Sequence, residues 1–253
     1  MIGRLVSLQR FFITFCLSTS LLVSYGEPFG MIIISTQGHA SDFGDMTQAV
    51  GNNAGCASPT RGIMAGGQLS PGVYSNVIDF ITMATQGNAQ QFGELSTVGR
   101  EPGAISNSTR GIIAGGQEPS APNSDVIQYV TIPTLGNAAD FGNLIGGEQR
   151  TGCCSNAVRG VIGAGTPGND RISYITMASL GNATDFGDST NNSEGKAGMN
   201  SPTRAIWGGS DGDATDTIEY VQIMSTGNAV NFGDLLASRR QLSGSSNGHG
   251  GLG

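Results

Sequence analysis

Apolar residues along this chain gather into short runs separated by glycine-rich breaks. The clearest are Val77-Ile78-Asp79-Phe80-Ile81-Thr82-Met83, Val126-Ile127-Gln128-Tyr129-Val130-Thr131-Ile132, Ile172-Ser173-Tyr174-Ile175-Thr176-Met177 and Ile218-Glu219-Tyr220-Val221-Gln222-Ile223. They carry β-branched and aromatic residues at both alternating positions, which predicts strands of sheets covered on both faces. Two further phrases keep register with them. One is Thr60-Arg61-Gly62-Ile63, returning as Thr109-Arg110-Gly111-Ile112, Val158-Arg159-Gly160-Val161 and Thr203-Arg204-Ala205-Ile206. The other is Gly-x-Ala-x-x-Phe-Gly, which occurs five times and ends on Phe43-Gly44, Phe92-Gly93, Phe141-Gly142, Phe186-Gly187 and Phe232-Gly233. These phenylalanines are 49, 49, 45 and 46 residues apart.

A period of that length fixes architecture more firmly than local propensity does. The copy around residues 97–145 predicts four strands, Gly103 to Ser106, Arg110 to Ala114, Val126 to Ile132 and Asp140 to Leu144. Gly-Asn-Ala supplies a pair that tolerates positive φ for a tight turn, and Gly115-Gly116 permits close backbone approach. One such sheet cannot cover both of its faces; stacked copies can. The expected fold is all-β: a β-propeller of five blades, each of four antiparallel strands. Four blades lie near 47–96, 97–145, 146–190 and 191–236. The closing blade is shared between the two termini, with a third and fourth strand from 31–46 and a first strand beginning at Arg239.

A small-residue or Arg strand, a strand ending in Gly-Gly, a third strand centred on an aromatic and a fourth with a large aromatic together resemble the kelch repeat. Phe stands where the kelch tryptophan is usual. The wording Thr-Arg-Gly-Ile, Ile-x-Tyr-Val-Thr-Ile and Gly-Asn-Ala-x-Asp-Phe-Gly also resembles kelch-like proteins of tailed phages, notably those of marine cyanobacteria, over residues 31–253. That resemblance implies a virion structural protein, tail- or capsid-associated. Its expected partners are other virion proteins and a host-surface glycan or protein. The alternative is a secreted cellular propeller that binds a glycan or a protein.

Composition narrows the rest. The chain has 253 residues, 41 of them Gly, with 12% charged residues and a formal net charge of −7. The glycines have no three-residue period, which excludes collagen. The balance is acidic, so no basic footprint for nucleic acid or an anionic membrane is present. Residues 1–30 form a separate apolar segment: Arg4 and Arg10 precede Phe11-Phe12-Ile13-Thr14-Phe15-Cys16-Leu17, the outline of a secretory signal or of an extension that packs on the domain.

Candidate chemistry is sparse, and the expectation is no enzyme, no cofactor and no metal. His39 and His249 sit at opposite ends of the chain, and no nucleophile elbow, phosphate loop or paired-carboxylate motif occurs. Asp211-Gly212-Asp213 reads as a turn rather than a calcium loop. Cys56 and Cys154 share a register with Ile105 and Met199 and read as buried apolar substitutes. The loops that vary between copies carry the expected ligand or partner contacts: Tyr74, Ser75, Asn123, Ser124, Asn169, Asp170, Asp211 and Asp213. Arg61, Arg110, Arg159 and Arg204, with Phe43, Phe92, Phe141, Phe186 and Phe232, are expected to be structural. For the arginines this means bonds between neighbouring copies, with Asp42, Asp140 or Asp185 as candidate acceptors.

Overall fold

The computed structural model describes residues 11–12, 28–32, 38–163, 165–192, 194–210, 215–240 and 242–244. Among them there is no helix; all regular structure is antiparallel β-sheet. The first sheet has three strands, β1 (Phe11–Phe12), β2 (Pro28–Ile32) and β3 (Ser41–Asp45). The second contains β4 (Ala54–Ala57), β5 (Arg61–Ala65), β8 (Val77–Thr82) and β9 (Gln90–Glu94). A small hairpin, β6 (Gln68–Ser70) with β7 (Val73–Tyr74), interrupts that sheet. The third is β10 (Gly103–Ser106), β11 (Arg110–Ala114), β12 (Val126–Thr131) and β13 (Ala139–Asn143). The fourth is β14 (Cys153–Ser155), β15 (Arg159–Ile162), β16 (Arg171–Thr176) and β17 (Thr184–Asp188). The fifth is β18 (Ala197–Asn200), β19 (Arg204–Gly208), β20 (Thr215–Gln222) and β21 (Val230–Arg239).

The sheets stack in chain order, because each has two apolar faces and needs two neighbours. One face of the third sheet gives Ile113, Val130 and Ile132 to a cluster with Ile63, Ile78 and Phe92 of the second. Its other face gives Ile112, Ile127 and Phe141 to a cluster with Ile162, Ile175 and Met177 of the fourth. The fourth sheet closes in the same way on Trp207, Val221 and Ile223 of the fifth. At the other end, Phe29, Met31 and Phe43 of the first sheet pack on Met64 and Ile81 of the second.

A polar residue sits in the middle of each apolar third strand and is nonetheless buried. Asp79 accepts from the Thr47 amide at 2.9 Å and its hydroxyl at 2.7 Å, which ties the second sheet to the loop leaving the first. Gln128 Oε1 accepts likewise from the Ser96 amide at 2.6 Å and hydroxyl at 2.7 Å. Glu219 accepts from Ser189 Oγ and from the Thr190 amide, each at 2.7 Å, and pairs with Lys196 at 2.6 Å. Satisfying these groups is what makes their burial tolerable.

The expected closing sheet is filled out at one place and corrected at another. The position beside β2, left unassigned by the sequence, is filled by Phe11–Phe12, in the register Phe11 with Ile32 and Phe12 with Met31. The expected boundary at residue 30 therefore falls inside β2, while residues 1–10 and 13–27, on which the signal reading rests, lie outside the described residues. Arg239 does not begin a new strand. It ends β21, paired with Thr215, because a register shift between Thr215 and Thr217, added to the one that β9, β13 and β17 share, lets β21 run on beyond their length. Residues 245–253 also lie outside the described residues.

Glu219 couples this packing to pH. Burial opposes ionisation of its carboxyl, but the Lys196 ammonium, with the Ser189 and Thr190 donors, outweighs that and holds it below the ordinary carboxylate range. A depressed native value stabilises the fold above the unfolded value and ceases to do so as pH falls through the native one. Thermal melting of Glu219→Gln is therefore expected to respond less to acidification below about pH 4.5 than that of the parent chain.

Candidate functional site: the two ends of a repeated junction

The same contact joins every pair of adjacent sheets. The first four Phe-Gly pairs each end against the Gly-Asn-Ala of the following copy. The Gly87 and Ala89 amides donate to the Phe43 and Asp45 carbonyls at 2.9 and 2.8 Å, and the Gly136 and Ala138 amides to Phe92 and Glu94 at 3.0 and 2.8 Å. Gly181 and Ala183 bond Phe141 and Asn143, and Gly227 and Ala229 bond Phe186 and Asp188, in the same pattern. The asparagine between them accepts from the backbone of the preceding sheet: Asn88 from Asp45, Asn137 from Glu94, Asn182 from Asn143 and Asn228 from Asp188, at 3.0 to 3.2 Å. Only the glycine of Gly-Asn-Ala takes positive φ, +147° to +151° in these four copies; the asparagine does not. The asparagine is therefore an acceptor between sheets rather than a left-handed turn residue.

The recurrent arginines belong to this junction, with acceptors other than the carboxylates expected. Arg61, Arg110 and Arg159 donate from Nη1 to the Ile132, Met177 and Ile223 carbonyls of the next sheet, at 2.7, 2.8 and 3.1 Å. Each guanidinium also lies over the aromatic of its own third strand: Phe80 at 4.8 Å, Tyr129 at 4.9 Å and Tyr174 at 4.2 Å. Those aromatics in turn meet the Phe of the fourth strand edge-on, at 6.0 to 6.1 Å. Cation, aromatic and carbonyl form one bridge across the gap between sheets.

At the fifth sheet the bridge has only its near half. Arg204 lies over Tyr220 at 4.9 Å, and Tyr220 meets Phe232 edge-on at 5.8 Å, as in the other copies. Yet Phe232 is 52% exposed, where Phe43, Phe92, Phe141 and Phe186 are at most 4% exposed. Met199 is exposed where Ile105 and Cys154 are buried, and Ile206 and Ile218 are half-buried where Ile112 and Ile127 are wholly buried. A Cβ at Gly233 would meet nothing within 4 Å, whereas one at Gly44, Gly93, Gly142 or Gly187 would lie 2.5 Å from the carbonyl carbon of the next copy's glycine. On the first sheet the converse surface is marked by Ala40, exposed where Ala89 is buried and Ala138, Ala183 and Ala229 are half-buried; Gly38 and His39 are exposed as their counterparts are.

The loop residues expected to make ligand or partner contacts differ in their placement. Ser75 and Ser124 are buried, donating to Gln48 at 2.8 Å and Glu118 at 2.6 Å, so both hold loops in place. Tyr74 lies under Arg100 at 5.8 Å, Asn169 is tied to the Pro167 carbonyl at 3.0 Å, and the Asn123 side-chain amide donates to the Thr166 carbonyl at 3.0 Å. Asp170 is exposed; Asp211 and Asp213 lie outside the described residues. The loops instead make a ladder of their own. The Glu101 amide donates to the Asn52 carbonyl and the Arg150 amide to that of Glu101, while the Arg150 guanidinium grips the Glu101 carboxylate at 2.7 and 3.1 Å.

The thiols are apolar filling. Burial pushes Cys56 up to about 12 and Cys153 up to about 11, and it raises Cys154 further. A thiolate-selective reagent at pH 8 is expected to leave these three unmodified in the native chain and to label them on unfolding. His39 is exposed, and His249 lies outside the described residues. Among the described residues no group of three or more His, Cys, Asp or Glu side chains could hold a metal ion, and no helix is long and apolar enough to cross a membrane. No protein-family profile and no curated protein sequence matches this chain.

Proposed function

We propose that the chain is a non-enzymatic structural protein of a phage virion, tail- or capsid-associated, whose sheets are kelch-like propeller blades that make contacts with other proteins. The observation carrying this reading is the fifth sheet. Its outer face leaves exposed aromatic and aliphatic residues at positions that the preceding sheets bury. Such a face fits protein contact better than catalysis.

The propeller reading draws on the succession of first strands. Gly198 of β18 approaches Cys153 of β14, and Gly244 approaches Gly198 in turn, so the C-terminal chain enters the place of another first strand. On this reading that series counts five blades, with β1-β2-β3 as the N-terminal one. The phage assignment draws on the wording of the repeats, and with it come other virion proteins and a host-surface glycan or protein as partners. Mass spectrometry of purified particles tests it. The expected result is peptides from several of the five sheets in stoichiometric amount; particles lacking them reject the virion assignment.

A further inference from the structure

We infer that the open face of the fifth sheet receives the first sheet of a second copy of this chain, in a head-to-tail contact that repeats the junction already made four times within each chain. The backbone bonds of that junction have one half at either end, whereas its buried polar latch has none, since Gly30 and Leu236 stand in the places of Asp79 and Thr47. At the C-terminal end the Phe232 and Asp234 carbonyls and the Asp234 amide occupy the register positions of Phe186, Asp188 and the Asp188 amide. At the N-terminal end the Gly38 and Ala40 amides and His39 stand where Gly227, Ala229 and Asn228 stand. Gly233 retains φ +151° and the open space that Gly187 uses to admit the next backbone. A neutral imidazole offers one ring nitrogen as acceptor, so His39 can take the place of the asparagine.

A second copy is the occupant that the chain itself specifies. The face carries the same Arg, Tyr and Phe bridge as the internal sheets, and the surface known to complete such a bridge is the back of a sheet from this repeat. Within one chain, Phe232 and Ala40 both remain exposed. The two ends differ, so the contact is heterologous. Each added copy presents a new open face, and the assembly grows until its rotation closes a ring or continues as a filament. This inference goes beyond the virion reading and can fail without it, since particle composition decides that reading separately.

Two single variants, His39→Cys and Asp234→Cys, each also carrying Cys16→Ser, provide the test. Both sites are exposed and face each other in the inferred contact, as Asn228 and Asp188 do within the chain. Mixed in equal amounts and treated with a short bis-maleimide, they are expected to give a covalent dimer containing one of each. That product should be absent when either variant is treated alone and lost when Phe232→Glu is added to the Asp234→Cys chain. Sedimentation of the unmodified chain is expected to show an average mass that rises with concentration. Two results overturn the inference: a mixture that yields no dimer while the parent sediments as a monomer at all concentrations, or a double variant that cross-links within single chains at high dilution. The second would show that the ends close on themselves.

Discussion

Gly142→Ala is expected to destabilise the chain by about 2 kcal/mol more than the same change at Gly233, the overpacking cost of a side chain forced into a filled space. Both glycines hold nearly the same backbone, φ +147° and +151°, so both substitutions incur the strain of a left-handed conformation, about 1–3 kcal/mol. They differ in what a new Cβ would meet. At Gly142 it would lie 2.5 Å from the Gly181 carbonyl carbon, with backbone that cannot turn aside; at Gly233 it meets nothing within 4 Å. The difference should appear as a melting temperature lower by roughly 4–8 °C for Gly142→Ala than for Gly233→Ala, measured at high dilution where copies are apart. Equal losses would mean that the third and fourth sheets are not joined through this backbone contact.

Phe141→Ala is expected to cost about 3–5 kcal/mol, the range for removing a buried phenyl ring. Phe141 is 2% exposed and sits between Ile127 and Leu144 of its own sheet and Ile175 and Met177 of the next. It also supports Tyr129 edge-on at 6.1 Å, beneath Arg110. Truncation opens a cavity between two sheets and loosens the bridge that carries the arginine. Phe232→Ala removes the same ring from the same sequence context with half of it already in water, so its cost at high dilution should be about 1 kcal/mol. Denaturant melts of the two variants side by side read this directly. Similar losses would show that Phe232 is covered within the single chain.

Much of this was legible in the sequence because each strand is short, apolar and repeated in register. Gly103 to Ser106 and Arg110 to Ala114 form the strands the pattern predicts, and Cys56, Ile105, Cys154 and Met199 share one position in the first strands. The arginines were read as bonds between copies, but their acceptors are carbonyls, which every residue carries and no residue type announces. The asparagine of Gly-Asn-Ala misled for a related reason: Asn is suited both to positive φ and to accepting a hydrogen bond, and the sequence does not distinguish these uses. Asp79, Gln128 and Glu219 left a usable signal, a polar residue fixed in the middle of an apolar strand, whose recurrence marks a latch to the preceding loop. Phe11–Phe12 could not be assigned to a sheet from sequence, since an apolar run after two arginines also has the outline of a secretory signal.

Hydrogen exchange at two equivalent amides tests the open junction most directly. The Asp188 amide donates to Asn228 within the chain, while the Asp234 amide holds the same register at the open end. Fragment-resolved exchange should find Asp188 protected at every protein concentration, and Asp234 unprotected at high dilution but slowed as concentration rises. Protection of Asp234 that matches Asp188 at the lowest concentration would contradict the open junction and the contact between copies, because the fifth sheet would then be covered by its own chain.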